Sequence, residues 1–312
     1  MHAIETRRVA GLSGALGQGG RLQVVGAATD LLRLTRPSLA NAQDRKVKTL
    51  WEVAEQAGLR TAVVNWWATW PASAGTGLMI TDRAVLRLEH GGALDGEIGP
   101  PALYEALRAR WPAMRERAAA STADAFTQVG DADVVSTLRR SASLDVTIIE
   151  LFRSLPPPAR DLDVVYLPGL DIAQNSLLGS SASATASSVA SRVDALGQYY
   201  AFLDRAIAPL LEEDAKTTVV LVTQPGRVRS SAGGVFAVWP GLHESVEGDV
   251  AVGLTPQAVA RPVAPAPVDV APTILGALGV PLSRELQGRA EPALFDLGFA
   301  TCLLYTSDAA DE

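Results

Sequence analysis

Six side chains stand where an α/β enzyme places its chemistry. Asp171 and Asn175 follow the apolar run "LDVVYLPGLD", and Gln224, Pro225, Arg227 and Ser230 follow "TTVVLVT". A carboxylate just past a strand can ligate a divalent cation or act as a base; it can equally close an Asx turn or cap a helix. Both readings of Asp171 stay open at the level of sequence. Gln224 and Asn175 offer amides, Ser230 a hydroxyl, Pro225 no donor atom at all, and Arg227 a cation suited to an anion. Histidine is scarce: His2, His90 and His243 are the full set, and no two of them have metal-ligand spacing. His243, in "PGLHESVEG", reads as a surface-loop residue. No G-x-S-x-G turn presents a hydrolase serine.

These residues need strands to carry them and helices to cover the strands. "KTLWEVAEQAG" predicts a helix with Leu50, Val53, Ala54 and Ala57 on one face and Gly58 as its stop. "LRTAVVNWW" then predicts a strand, and "GLMITDRAV" a second one ending at Asp82. Residues 101–120 and 133–155 read as helices, the first opened by Pro100 and Pro101. The runs 162–171 and 217–223 read as strands buried on both faces. Between them, "SLLGSSASATASS" is of low complexity. A long helix from about Ser188 to Glu213 follows it, with Val189, Val193, Leu196, Tyr200, Leu203, Ile207 and Leu211 at spacings of three and four. "GGVFAVWP" and "DVAVGL" predict short strands, and "PVDVAPTILGALG" a helix stopped by Gly279. Strands alternating with long helices point to an α/β sheet, parallel or mixed, covered on both faces. Ligands then bind at the carboxyl ends of strands, here from Asn65, from Pro168 to Asn175, and from Thr223 to Arg229. The cluster "NWWATWP" could wall such a pocket, but three tryptophans so close together read first as core.

Composition removes several classes. A formal charge of −7 disfavours a nucleic-acid partner, and "DRKVK" is a short solvated lead-in to a helix. No apolar run approaches the roughly 18–20 residues that cross a bilayer. "GLSGALGQGG" lacks both the dinucleotide fingerprint and a P-loop ending, so it reads as a connector, and residues 1–45 are left without a fold assignment. The single cysteine, Cys302, permits no internal disulfide. It opens "CLLYTSDAADE", which resembles the translation of a transposase adapter from sequencing-library preparation, so residues 302–312 are expected to be non-native.

The same segments resemble the alkaline phosphatase superfamily, in particular its type I phosphodiesterase/nucleotide pyrophosphatase branch. "KTLWEVAEQAGLRTAVVNWWATWPA" with "MITDR" is similar to that branch's early αβ unit. "VVYLPGLDIAQN" resembles its Gly-x-Asp-x-x-x-His motif, and "TTVVLVTQPGR" its Ser-Asp-His-Gly motif. "VRSSAGGVFAVWPG" resembles a segment that supplies a further ligand, and "PVDVAPTILGALGVPLSRELQGRAEPALF" the closing helix and its Asp-Gly-Arg turn. The resemblance covers roughly residues 46–300 and implies one three-layer α/β/α domain over 46–301 with a mostly parallel sheet. It also implies a helical insert over about 83–160.

What the resemblance implies chemically is phosphoester hydrolysis on two divalent ions, usually zinc, each held by about four donors. Carried over residue by residue, Asp171 matches the motif's carboxylate. Asn175 stands for its histidine, Gln224 and Pro225 for an Asp and a His, and Ser230 for a later His. Amides, a hydroxyl and a proline are poor zinc ligands, so no metal or other cofactor is expected in this chain. The family's first ligand and its Thr or Ser nucleophile would precede Met1, so the sheet's first strand is expected to be missing. The expectation is a catalytically inactive relative with no catalytic residue of its own. Asp171 and Arg227 would remain in the pocket to meet a small phosphorylated ligand. Two alternatives stand beside it: an active phosphodiesterase when the protein is longer, and, ranked last, a nucleotide-binding oxidoreductase.

Overall fold

The structure is a computed structural model, and it describes residues 40–73, 75, 77–156, 160–178, 186–211, 217–222, 235–238, 267–283, 286 and 288–290. The chain divides into two compact units, Met1–Leu177 and Leu178–Glu312.

The first unit is organised by a short strand, β1 (Thr61–Val64), whose four residues are all buried. It is flanked by two parallel partners, β2 (Leu78–Ile80) and β4 (Leu162–Val165), with Val64 opposite both Ile80 and Val165. A two-residue strand, β3 (Ile98–Gly99), adds antiparallel to β2, giving a mixed four-stranded sheet in the order β3-β2-β1-β4. The helix α1 (Leu50–Gln56) precedes β1, and its Trp51 packs with Val63 and Met79 on one sheet face. Ala62 and Val64 point the other way. Their cluster includes residues of α2 (Ala84–His90), α3 (Pro101–Ala123) and α4 (Ala132–Arg153), among them Leu107, Met114, Ile148 and Leu151. Burying Val63 and Val64 contributes about 1.5–3 kcal/mol each.

Local chemistry explains the ends of these elements. Thr49 and Glu52 form a reciprocal capping box at the start of α1. Its exit is a left-handed Gly58 (φ +84°), with Leu59 N donating to Ala54 O and Gly58 N to Glu55 O, a Schellman closure. Pro101 opens α3, where its missing N–H costs nothing. At the outer ends of β1 and β4, Arg60 and Asp161 clasp each other. Asp161 N donates to Arg60 O at 2.8 Å, and Arg60 N to Asp161 Oδ2 at 2.8 Å.

The second unit contains α6 (Ala186–Leu211), the antiparallel pair β5 (Val219–Val222) and β6 (Val235–Val238), and α7 (Val270–Ala277) behind the 3₁₀ turn Pro267–Asp269. Its α7 ends as α1 does, with Gly279 at φ +72° and Val280 N bonded to Leu275 O.

Several expectations are corrected. In α1 the buried face is Trp51 and Ala54, while Ala57 is the exposed C-cap. In α6 the buried residues are Ala195, Leu196, Tyr199 and Phe202, and Val193 and Tyr200 are about half exposed; the packed face is rotated toward Tyr199. The strands β4 and β5 are half-buried rather than covered on both faces, and β5 pairs antiparallel with β6. Among the described strands β4 borders only β1, so its outer edge and flanks gain less cover. The predicted insert is not wholly helical, because it supplies β3, a strand too short to leave a periodic signal. The strand predicted over "DVAVGL" lies outside the described residues.

Two outcomes follow. Gly58→Ala and Gly279→Ala should each lower stability by about 1 kcal/mol through backbone strain alone, since an added Cβ meets nothing within 4 Å at either site. Urea melts check this, and unchanged midpoints would mean that the helix ends are not left-handed. The second concerns Glu97, buried beside Arg87. Burial raises its carboxyl, but the hydrogen bond from Arg87 (Nη2 to Oε1, 2.7 Å) and the backbone N–H of Asp95 outweigh it and hold the group below the usual carboxylate range. A depressed folded value stabilises the fold above the ordinary carboxylate range and is lost as pH falls through it. Stability should therefore decline on acidification toward about pH 4, and Glu97→Gln should flatten that decline in melts taken from pH 7 downward.

Candidate functional site

Since β1, β2 and β4 are parallel, their carboxyl ends share one edge of the sheet. The chain leaves β1 through Asn65, a buried residue at φ +59°. Asparagine is among the few residues that accept this conformation readily. Its N–H donates to Ile80 O (2.7 Å), and its Nδ2 to Tyr166 O (3.1 Å). Tyr166 N in turn donates to Val64 O at 3.0 Å. Asn65 thus ties the end of the central strand to both neighbours at once.

Past Asn65 the chain folds into a tight loop, with Ala68 also left-handed (φ +54°). Asp82, two residues beyond β2, organises this loop. Its Oδ2 accepts from Ala68 N (3.2 Å), and its Oδ1 from Thr69 N (3.3 Å) and Trp70 N (3.2 Å). A carboxylate that gathers backbone N–H groups satisfies donors a tight loop cannot pair internally. Behind β4, Asp145 of α4 is fully buried and accepts from Gly169 N at 2.7 Å. Gly169 is the first residue of α5 (Gly169–Leu178), so Asp145 anchors that helix's start.

Asp171 is the third residue of α5, in its first turn and half-buried; β4 had already ended at Val165. Its position is therefore helical, near the positive end of the helix, where a carboxylate is favoured. Asn175 is one turn on, exposed, on the same face. The structure thus brings these two candidates together. Gln224, Pro225, Arg227 and Ser230 lie outside the described residues.

The tryptophan cluster is core only in part: Trp66 packs against the buried cluster of Trp51, Val63 and Met79. Trp67 is 51% exposed and Trp66 and Trp70 are half-buried. Trp66 and Trp67 both meet the Tyr166 ring edge-on, at 5.9 and 6.5 Å between centroids. The Arg83 guanidinium lies 3.9 Å over the Trp70 ring, and Trp70 Nε1 donates to Asp95 O. The edge therefore carries an aromatic rim beside the start of α5.

Sequence reasoning assigned no role to Asp82 or Asp145. Asp82 follows a strand as Asp171 was read to, a signal available in "MITD". Asp145 sits at core spacing between Leu138 and Ile148, a polar residue on an apolar stripe.

Asp171 is a suitable zinc ligand and Asn175 a weak one, while Asp82 and Asp145 have oxygens bonded to backbone N–H groups. Among the described residues no group of three or more His, Cys, Asp or Glu side chains is placed to hold a metal ion. What the arrangement defines is a strand-end site on a mixed α/β sheet. Compared with known proteins, the chain matches no family model, no curated protein and no solved structure. Among the described residues no helix is long and apolar enough to cross a membrane.

The Asn65 clasp generates a prediction. Asn65→Ala should cost about 2 kcal/mol, combining a lost hydrogen bond with left-handed strain, and Asn65→Gly only about 1. Denaturant melts of the two variants check this, and equal losses would show that the backbone conformation is not at issue.

Proposed function

We propose that this chain is a divergent relative of the alkaline phosphatase superfamily, of the type I phosphodiesterase/nucleotide pyrophosphatase branch. In this reading the three-layer α/β/α fold is retained and the metal-dependent phosphoester hydrolysis is lost. The protein then binds a small phosphorylated ligand at the carboxyl edge of its sheet without turning it over. The observation that carries this reading is the pair on α5. Asp171 and Asn175 lie one turn apart on one face, a carboxylate followed by an amide, where the family's motif sets a carboxylate followed by an imidazole. The exchange removes a strong zinc donor and keeps the spacing. The further substitutions at Gln224, Pro225 and Ser230 support the same reading from sequence.

The test is metal content together with turnover. Purified protein incubated with zinc and then desalted should retain well under one ion per chain by elemental analysis. It should not hydrolyse bis-p-nitrophenyl phosphate with zinc, manganese or calcium. Two retained ions per chain, with hydrolysis that Asp171→Asn abolishes, would replace this reading with an active phosphodiesterase.

A further inference from the structure

Arg45 and Trp51 hold two nitrogen donors that the fold buries and leaves unanswered. Arg45 Nη1 and Trp51 Nε1 are both shielded from solvent, and neither has a hydrogen-bond partner. Folded proteins pair nearly all such groups, so an orphaned charged donor calls for an explanation. The two side chains share one place: the Arg45 guanidinium carbon lies 5.9 Å from the centre of the Trp51 ring. The other guanidinium nitrogens are engaged, Nη2 with Glu52 Oε1 at 3.1 Å and Nε with Ala42 O at 3.4 Å.

Arg45 also lines an open groove of about 590 Å³, together with Lys46, Lys48, Glu52 and Glu55. Both lysines are exposed, and neither forms an ion pair among the described residues. Lys48 Nζ donates to the neutral amide of Gln56. The two carboxylates are already engaged, Glu52 with Arg45 and with Thr49 N, and Glu55 with the Thr61 hydroxyl. The groove thus offers two ammonium groups outside ion pairs, one of them bonded to a neutral amide, beside a guanidinium with a spare, buried donor.

We infer that this groove is a binding site for a phosphate-type oxyanion, held by Lys46, Lys48 and the Arg45 guanidinium. A doubly charged tetrahedral anion accepts from several donors at once, which suits a planar fork with two flexible ammonium groups. Arg45 turns its fork into the groove to meet the ligand. That movement gives up the Arg45–Glu52 ion pair, whose Arg45 side chain is only 9% exposed, and the Nε bond to Ala42 O; it relieves an unsatisfied charged donor, and the anion's charge-assisted hydrogen bonds offset the remainder. The Trp51 indole lies against the moving group and reports the change. The site is separate from the strand edge that carries Asp171, and it involves no turnover.

The probe is inorganic phosphate, followed by calorimetry and by tryptophan fluorescence at low ionic strength. Saturable binding is expected with a dissociation constant of about 1 mM or lower, weakening as salt is added. The double variant Lys46→Ala/Lys48→Ala changes only exposed side chains and should weaken binding about tenfold or more. Arg45→Lys, which keeps the charge and loses the fork, should weaken it and remove the fluorescence response. The lysine and arginine variants leave Asp171 untouched, so a loss they cause assigns the binding to this groove and not to the edge proposed above. Absence of saturable binding, or an affinity in the lysine double variant equal to that of the parent, would each overturn the inference.

Discussion

A strand buried on both faces and bonded along both edges leaves its surroundings little choice. β1 is such a strand: Thr61 to Val64 have no solvent-facing side, and parallel partners occupy either edge. Its alternation sends Val63 toward Trp51 and sends Ala62 and Val64 toward the helices of residues 84–153. Cover on both faces is what an interior parallel strand requires. The one polar side chain inside this stretch, Thr61, is buried and donates its hydroxyl to Glu55; the other polar side chains gather at the strand's end.

That end is where the constraint becomes functional geometry. Backbone groups leaving a buried strand must find partners, and here side chains supply them. Asn65 bonds to both neighbouring strands, Asp82 collects three N–H groups of the next loop, and Asp145 takes the first N–H of α5. Two carboxylates that could have faced a cation are thereby committed to building the edge. Asp171 is left in the first turn of a helix whose next turn offers an amide. The result is a rim of Trp66, Trp67 and Tyr166 beside a helix start.

Much of this frame was legible in the sequence, for reasons tied to particular residues. Gly58 and Gly279 end helices because only a left-handed residue closes a Schellman turn cheaply, and both were read that way. The helices over 101–123 and 132–153 were readable from long periodic runs and a proline pair. Which face each helix buries was less legible, because adjacent aromatics compete for it. Tyr199 rather than Tyr200 is buried in α6, and Trp51 displaced Ala57 in α1. The strand ends were legible as places and not as bonding patterns. That Asp82 and Asp145 serve backbone groups depends on loops brought together from distant parts of the chain, which no local spacing records. The tryptophans divide for a related reason: Trp66 packs on the core cluster as its apolarity suggested, while the turn after Asn65 carries Trp67 out to the rim.

The most direct test of this account is hydrogen exchange at the amides of Ala68, Thr69, Trp70 and Gly169, measured by NMR with and without zinc. If the Asp82 and Asp145 carboxylates are held by backbone, these four amides are protected well beyond exposed-loop rates, and zinc leaves them unchanged. Exchange at the rate of open loops, or protection that shifts when zinc is added, would contradict the claim that these carboxylates are held by the backbone at this edge.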